Sequence, residues 1–312
     1  MLVIYLLVGY LATIVLRAML ELLNMRERRR HANAAPPELS DCIDSATLGR
    51  SIAYSDDRTR LGFIQLASRS VVVIAFLFGG GLRAVDEWLT ESMGRGIAQG
   101  VCLFVGLHIA TTVLELPFDY FETFRIEERH GFNRMSRGHF FADWAKSLLL
   151  GCILYVIVSA AGLGLMRLSP HLYWLWVWGG GIALAVLLML IAPSVIEPLF
   201  IKTSPLSNQG LADQVRMLAE RVGVHVNQVL EVDASRRTAH SNAYFTGIGR
   251  VKRVVLFDNL LKQLTESEML AVLGHELGHW KLKHVAQRLL TSAAVALGVC
   301  YAFAQLLAQA GL

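Results

Sequence analysis

Long apolar stretches alternate with shorter polar segments along this chain. Each apolar stretch approaches the roughly 20 residues that a helix needs to cross a hydrocarbon layer about 30 Å thick. The pattern therefore predicts six membrane-spanning helices, the second interrupted by Arg69 and by the glycines that begin at Gly79. The first lacks the flanks of a cleaved signal peptide, so we expect it to be retained. The predicted spans are 2–23, 66–84, 97–117, 147–166, 172–192 and 287–310.

The polar segments predict how the remainder is organised. Segments 31–60 and 118–146 are predicted to be connections, whereas 194–286 is long enough for a folded domain outside the bilayer. Its pattern predicts a helix at 208–223 and a strand at 228–232.

A β-hairpin and a second helix are predicted to follow. The hairpin runs from Asn242–Phe245 through a glycine-containing turn to Lys252–Phe257. The helix starts at Thr265, which precedes Glu268 by the three-residue spacing of a capping box.

Composition strengthens the membrane assignment. The chain is 54% hydrophobic and 17% charged, whereas soluble domains carry about a quarter charged residues. Basic residues concentrate after the first, third and fifth spans, which predicts an external N-terminus and a cytoplasmic 194–286 segment. A juxtamembrane basic face accounts for Arg26 to Arg30, so nucleic acid is not an expected partner. The four cysteines lack CxxC spacing and are expected to be apolar fillers.

The run His275-Glu276-Leu277-Gly278-His279 carries the candidate chemistry. On a helix, positions i and i+4 share a face, so His275 and His279 are candidate ligands of one Zn²⁺ per chain. Glu276 is the candidate catalytic base that takes a proton from the attacking water. The alternative is a helix with two histidines in water. Apolar flanking residues such as Met269 and Leu273 argue against it, because they predict burial that would be costly for unpaired imidazoles.

Other polar residues allow two interpretations each. Asn242 and His240 are candidate substrate-binding residues beside an edge strand that could hold an extended peptide, although a histidine there also suits backbone hydrogen bonding. His284 follows His279 by five residues, about 140° around a continuous helix. It is therefore expected to face away from the metal pair in a structural or supporting role.

Two further clusters leave alternatives open. Glu127, Glu128 and His130 fit either a solvated loop or a segment that closes over an internal chamber. Asp233, Ser235 and His240 have the residue types of a serine triad, but no nucleophile elbow accompanies them, so this interpretation is weak.

Four blocks of sequence resemble the CAAX prenyl protease 1 family, integral membrane zinc endopeptidases that process prenylated C-termini. The resemblance runs from about residue 36 onward. Ile201 departs from the asparagine that is common after Pro-Leu-Phe in that family. The blocks are FRIEERHGFN at 124–133, PLF at 198–200 with SPL at 204–206, HSNAYF at 240–245 with 252–253 and 256–258, and HELGHWK at 275–281 with His284.

The resemblance implies a helical intramembrane chamber with a metal site near its cytoplasmic or nuclear side. It also implies His275 and His279 as zinc ligands, Glu276 as the base and the strand at Asn242 beside the substrate. The family's third ligand is a glutamate on a later helix, and a further span follows, so both are expected beyond Leu312. We therefore expect an incomplete chain that is inactive by itself, because catalytic zinc normally has three protein ligands.

These observations predict an all-α membrane protein, a multi-span helical bundle with a cytoplasmic-side, zincin-like catalytic domain containing a small β-hairpin. The domains are predicted at 1–192 (about five spans), 193–286 (catalytic) and 287–312 (one further span). The expected function is a zinc metalloendopeptidase acting on lipidated, CAAX-type or other membrane-associated proteins.

Two alternatives are a heat-shock-type quality-control zinc peptidase and a catalytically silent scaffold or binding homologue. The membrane would be the inner membrane of a bacterium, or the endoplasmic reticulum or nuclear membrane of a eukaryote. The sequence leaves the oligomeric state undetermined.

Overall fold

The computed structural model describes residues 2–32, 44–246 and 252–309. Within these ranges, six helices are long and apolar enough to cross a membrane, which confirms the predicted number. These spans are Val3–Arg30, Ser45–Leu77, Ile97–Glu127, Arg137–Leu168, Tyr173–Phe200 and His284–Gln309.

The helices and strands follow one another in this order: α1 (Leu2–Arg30), α2 (Ser45–Leu77), α3 (Gly81–Met93), α4 (Ile97–Phe121), a first π-helical segment (Glu122–Glu127), α5 (Arg137–Leu168), α6 (Tyr173–Ile191), a second π-helical segment (Ala192–Ile196), α7 (Glu197–Phe200), β1 (Thr203–Pro205), α8 (Gln209–Arg221), β2 (Gln228–Val232), β3 (Ala243–Thr246), β4 (Arg253–Phe257), α9 (Asp258–Gln263), α10 (Glu266–Lys281) and α11 (His284–Gln309).

The second span differs from its prediction at both ends. Helix α2 begins at Ser45, where the Asp44 carboxylate caps it by accepting from the Thr47 amide at 2.7 Å. It ends at Leu77, before the glycines, and Gly81 starts α3. The prediction of a connection across 31–60 is therefore wrong from Ser45 onward, and 33–43 lies outside the described residues. Polar residues in this part of α2, such as Asp56, pair with neighbouring helices.

The prediction of a connection at 118–146 is also wrong in part. The chain continues from α4 into the first π-helical segment, and α5 already starts at Arg137, capped by Ser136. Pro117 lies inside α4, five residues before the π-helical segment, and removes a backbone donor there. Widened π turns are one way in which a helix accommodates such a disruption.

The chain divides into two compact units, 1–133 with 146–161, and 134–145 with 162–312. The first unit is held together by ion pairs between spanning helices. They join Arg29 to Asp56 at 2.7 Å, Arg58 to Glu122 at 2.8 Å and Arg69 to Glu115 at 2.7 Å.

Glu127 and His130 belong to this network, too. Glu127 accepts a hydrogen bond from Tyr54, and the His130 Nε2 lies 3.0 Å from an Asp57 oxygen. Glu127 and His130 are thus bound to α2 rather than surrounded by water, whereas Glu128 is exposed. Pairing of this kind is what makes charged side chains tolerable near a bilayer.

The second unit contains a four-stranded sheet in the order β1-β2-β4-β3. Strands β3 and β4 pair antiparallel, with Ala243 opposite Leu256, which confirms the predicted hairpin pairing. The predicted turn at 247–249 lies outside the described residues. Strand β2 pairs parallel to β4 and antiparallel to β1, a strand that the sequence pattern did not predict.

The two faces of this sheet cover different partners. One face packs on α8 and α10 through fully buried side chains such as Val215, Leu256 and Leu273. The other gathers Val255, Tyr244 and their neighbours around Ile201. Burying each large aliphatic side chain contributes about 1.5–3 kcal/mol, so the first face fixes where α10 lies.

Candidate metal and peptide site

Helix α10 begins with the predicted capping box. The Thr265 hydroxyl accepts from the Glu268 amide at 3.4 Å, and the Glu268 carboxylate accepts from the Thr265 amide at 2.8 Å. The backbone hydrogen bond from Thr265 lowers the pKa of Glu268 below its ordinary value. Met269, Leu273 and Leu277 are buried on one face, which fixes the orientation of the other faces.

The two motif histidines meet one turn further along the helix. The His275 Nε2 and the His279 Nε2 lie 3.2 Å apart, and their rings are nearly perpendicular. Two nitrogens bound about 2.0–2.1 Å from one tetrahedral ion lie about 3.3–3.4 Å apart. The observed separation therefore fits two ligands of a single Zn²⁺. His275 is exposed, so the argument from burial does not apply to it.

His284 lies in a different place from the one expected. Helix α10 ends at Lys281, Lys283 adopts a left-handed φ of 54°, and α11 starts at His284. This reversal brings the His284 Nδ1 to 2.6 Å from the His279 Nδ1. The prediction that His284 faces away is wrong because the helix is not continuous, and neither glycine nor proline marks the break in the sequence. A supporting role fits, since a ligand histidine needs a partner for its other nitrogen.

The remaining ligands are not assembled in the described ranges. Among residues 2–32, 44–246 and 252–309, no group of three or more His, Cys, Asp or Glu side chains has an arrangement that could hold a metal ion. The third ligand stays a prediction. Glu276 is partly buried and follows the first ligand directly on α10.

The predicted substrate-binding residues lie at the start of the edge strand β3. Asn242 is exposed, its side-chain oxygen accepts from the Ala243 amide at 2.9 Å, and its carbonyl accepts from the Phe257 amide at 3.0 Å. His240 is also exposed, and its amide donates to the Thr238 hydroxyl at 3.1 Å. Strand β3 contacts α10.

Two buried residues at the start of α9 hold the loop that leads into β3. The Asn259 amide group donates to the carbonyls of Thr238 and His240 at 2.8 and 3.1 Å. Asp258 accepts from the Ser235 amide at 2.9 Å and pairs with Lys262 at 2.8 Å. Burial raises the pKa of Asp258, but the hydrogen bonds from Lys262 and Ser235 outweigh it and lower the pKa to about 2.

Sequence reasoning missed these positioning roles, although Asp258 lies in one of the four blocks. The contacts also argue against the serine triad. Asp233 pairs with Arg236 at 2.6 Å, and the Ser235 hydroxyl accepts from Lys262 at 3.5 Å.

Comparisons with known proteins show the family to which the chain belongs. A family model described as the CAAX prenyl protease N-terminal region, with five membrane helices, matches residues 24–202, and the Peptidase family M48 model matches residues 205–312. The probable CAAX prenyl protease 1 of Schizosaccharomyces pombe is 30% identical over 262 residues, covering 80% of this chain and 55% of the relative. The human CAAX prenyl protease 1 homolog is 28% identical over 316 residues, covering 86% of this chain and 66% of the relative.

A solved structure is similar as well. The crystal structure of S. mikatae Ste24p matches with a TM-score of 0.85 and 28% identity, covering 94% of this chain and 71% of that one. This chain spans between 55% and 60% of the three curated relatives from fission yeast, rice and baker's yeast.

The fold and the matches define an integral membrane protein with a peptidase-type segment after its fifth span. The chain belongs to the CAAX prenyl protease 1 family, within peptidase family M48.

Proposed function

We propose that this chain carries the membrane region and two metal ligands of a zinc-dependent endopeptidase. Its substrates would be the C-terminal regions of lipidated, CAAX-type or other membrane-associated proteins. The observation that carries the proposal is the 3.2 Å separation of the His275 and His279 Nε2 atoms on a helix packed beside edge strand β3. The names of the relatives support the substrate class.

Different residues of this chain would bind the metal, orient its ligands and transfer the proton. His275 and His279 hold the metal through their Nε2 atoms, and the nearby His284 Nδ1 orients the second imidazole. Zinc, when bound, would supply a Lewis acid for the scissile carbonyl and the attacking water. Glu276 would take a proton from the attacking water and then donate it to the leaving amine.

Strand β3 would hold the substrate. As an edge strand, it offers backbone N–H and C=O groups to an extended peptide, which adds to the sheet as a further strand. Asn242 and His240 are exposed at the start of this strand and would contact the peptide. The distribution of basic residues among the connecting segments supports a site on the cytoplasmic side.

The decisive variant is Glu276→Gln in the complete protein, compared with Glu220→Gln on the exposed face of α8. We expect Glu276→Gln to retain zinc and to lose at least about 100-fold in the cleavage of a farnesylated CAAX peptide. The Glu220 variant should cleave normally. Undiminished turnover by Glu276→Gln would show that Glu276 is not the catalytic base. Cleavage without metal would reject the zinc mechanism.

A catalytically silent homologue is the second candidate. It is favoured by the lack of a three-ligand cluster among the described residues. Zinc binding without any cleavage by the complete protein would select it.

A further inference from the structure

A polar cavity of about 370 Å³ lies in the first compact unit. Helix α1 lines it with Arg17 and Glu21, α2 contributes Arg58, and the first π-helical segment contributes Glu122. All four residues belong to membrane-spanning helices. Two cations and two anions around one cavity in such helices need an explanation, because charges there are costly without partners.

Two of these four charged side chains, Arg58 and Glu122, already pair with each other. The Arg58 guanidinium donates to Glu122 at 2.8 Å and lies 5.7 Å from the centre of the Tyr54 ring. Arg17 and Glu21 differ: within the described ranges, neither side chain makes an ion pair or a hydrogen bond with another residue. Arg83 and Glu87 on α3 have the same four-residue spacing and do pair, at 2.7 Å. The two α1 charges are thus available to an external ligand.

The depth of the pair indicates what that ligand is. Helix α1 ends in the basic residues Arg28 to Arg30, and Arg29 binds Asp56 of α2 at 2.7 Å. The predicted first apolar span ends at residue 23, so Glu21 lies about 3 Å and Arg17 about 9 Å inside that end, measured along the helix. Arginine reaches several ångströms along its stem toward the polar interface. The cavity therefore lies at the level of the phospholipid headgroups and the adjoining acyl chains.

We propose that this cavity binds the headgroup of a zwitterionic aminophospholipid of the phosphatidylethanolamine type. The Arg17 guanidinium donates to the phosphate, and the Glu21 carboxylate accepts from the primary ammonium. Side chains one turn apart are separated by about 5–6 Å, a span comparable to the two-carbon link between phosphate and ammonium. A choline headgroup has no N–H to donate, and a glycerol headgroup has no cation for Glu21.

The test measures lipid retention by native mass spectrometry. The purified chain would be equilibrated with vesicles of phosphatidylethanolamine, phosphatidylcholine or phosphatidylglycerol. We expect ethanolamine lipid to be retained most strongly, and Glu21→Gln to lower its retention about tenfold, as for a lost charge-assisted hydrogen bond. Arg17→Gln should lower retention of all three lipids, whereas Arg17→Lys keeps a cation and should restore it. Arg83→Gln and Glu87→Gln are the matched controls.

Equal retention of the three lipids would overturn the proposal, as would equal effects of the α1 and α3 variants. Displacement by soluble phosphoethanolamine would also overturn it, since the site would then recognise a free metabolite rather than a lipid. A thermal melt of each variant shows whether it is folded, and Glu21→Gln carries the test if Arg17→Gln does not fold. The measurement needs no peptidase activity, so its failure leaves the proposed function untouched.

Discussion

The phenol of Tyr244 donates a hydrogen bond to the carboxylate of Glu197. This contact joins edge strand β3 to the end of a membrane-spanning helix, across 47 residues of sequence. Burial raises the pKa of Tyr244 above its ordinary value, and Glu197 raises it further, so the phenol keeps its proton at neutral pH. The ring also packs edge-on against Phe257. The strand proposed to bind the peptide is therefore anchored to the membrane region of the same compact unit.

Tyr244→Phe should loosen β3 without removing its apolar packing. A hydrogen bond to a charged group contributes about 1.5–3 kcal/mol. We expect hydrogen exchange of the β3 amides to accelerate by about tenfold or more. Tyr301→Phe on α11, which also removes one hydroxyl, is the control. Unchanged β3 exchange in Tyr244→Phe would show that the contact does not anchor the strand.

His284→Gln should weaken zinc binding while leaving both motif histidines in place. Loss of a residue that supports a ligand histidine lowers metal affinity by about 10–100-fold. Competition with a zinc chelator on the complete protein measures the change. His225→Gln, at an exposed histidine before β2, should leave affinity unaltered. Equal affinities in the two variants would exclude a supporting role for His284.

Asp258→Asn should destabilise the loop that leads into β3, by about 1–3 kcal/mol, because its partners Ser235 and Lys262 lose a charged acceptor. Asp213→Asn removes an exposed ion pair with Arg216 and should change stability by less than about 1 kcal/mol. Thermal melting of both variants in detergent makes the comparison. A smaller effect at Asp258 than at Asp213 would contradict the assigned role.

The same carboxylate predicts a pH dependence. Its pKa falls from an ordinary 3.8 to about 2 on folding, so the unfolded chain binds the proton more readily. The contribution to stability is fully present above about pH 4 and is lost as the pH falls toward 2. Between pH 5 and pH 2, the difference in melting temperature between wild type and Asp258→Asn should shrink. A constant difference would show that Asp258 does not titrate in this way.

Leu273→Ala should test the hydrophobic core that packs against α10. Leu273 is fully buried, and its truncation should cost about 2–5 kcal/mol. Val272 is 38% exposed on the same helix, so Val272→Ala should cost much less. Melting temperatures in detergent measure the loss of stability in each of the two variants. Similar losses would mean that α10 does not pack on the sheet through this side chain.

The number of spans and the proximity of the two motif histidines could be predicted because each depends on local spacing. A run of about 20 apolar residues is long enough to span whatever its neighbours are. A four-residue interval places His275 and His279 on one face of any helix. The capping box at Thr265 is likewise complete within four residues, and the β3–β4 pairing follows from two adjacent apolar strands.

The tertiary structure decided the features whose partners are distant along the chain. The polar residues of α2 predict a connection from the sequence alone, because their partners are distant along the chain. In the fold, Asp56 pairs with Arg29 and Arg58 pairs with Glu122. His284 turns toward His279 only because the backbone reverses at Lys283. The sequence by itself determined the membrane class, the number of spans and the pair of candidate ligands, since run length and helical period are local properties. Folding decided what supports and anchors the site, because those contacts exist only when separate helices and strands pack together.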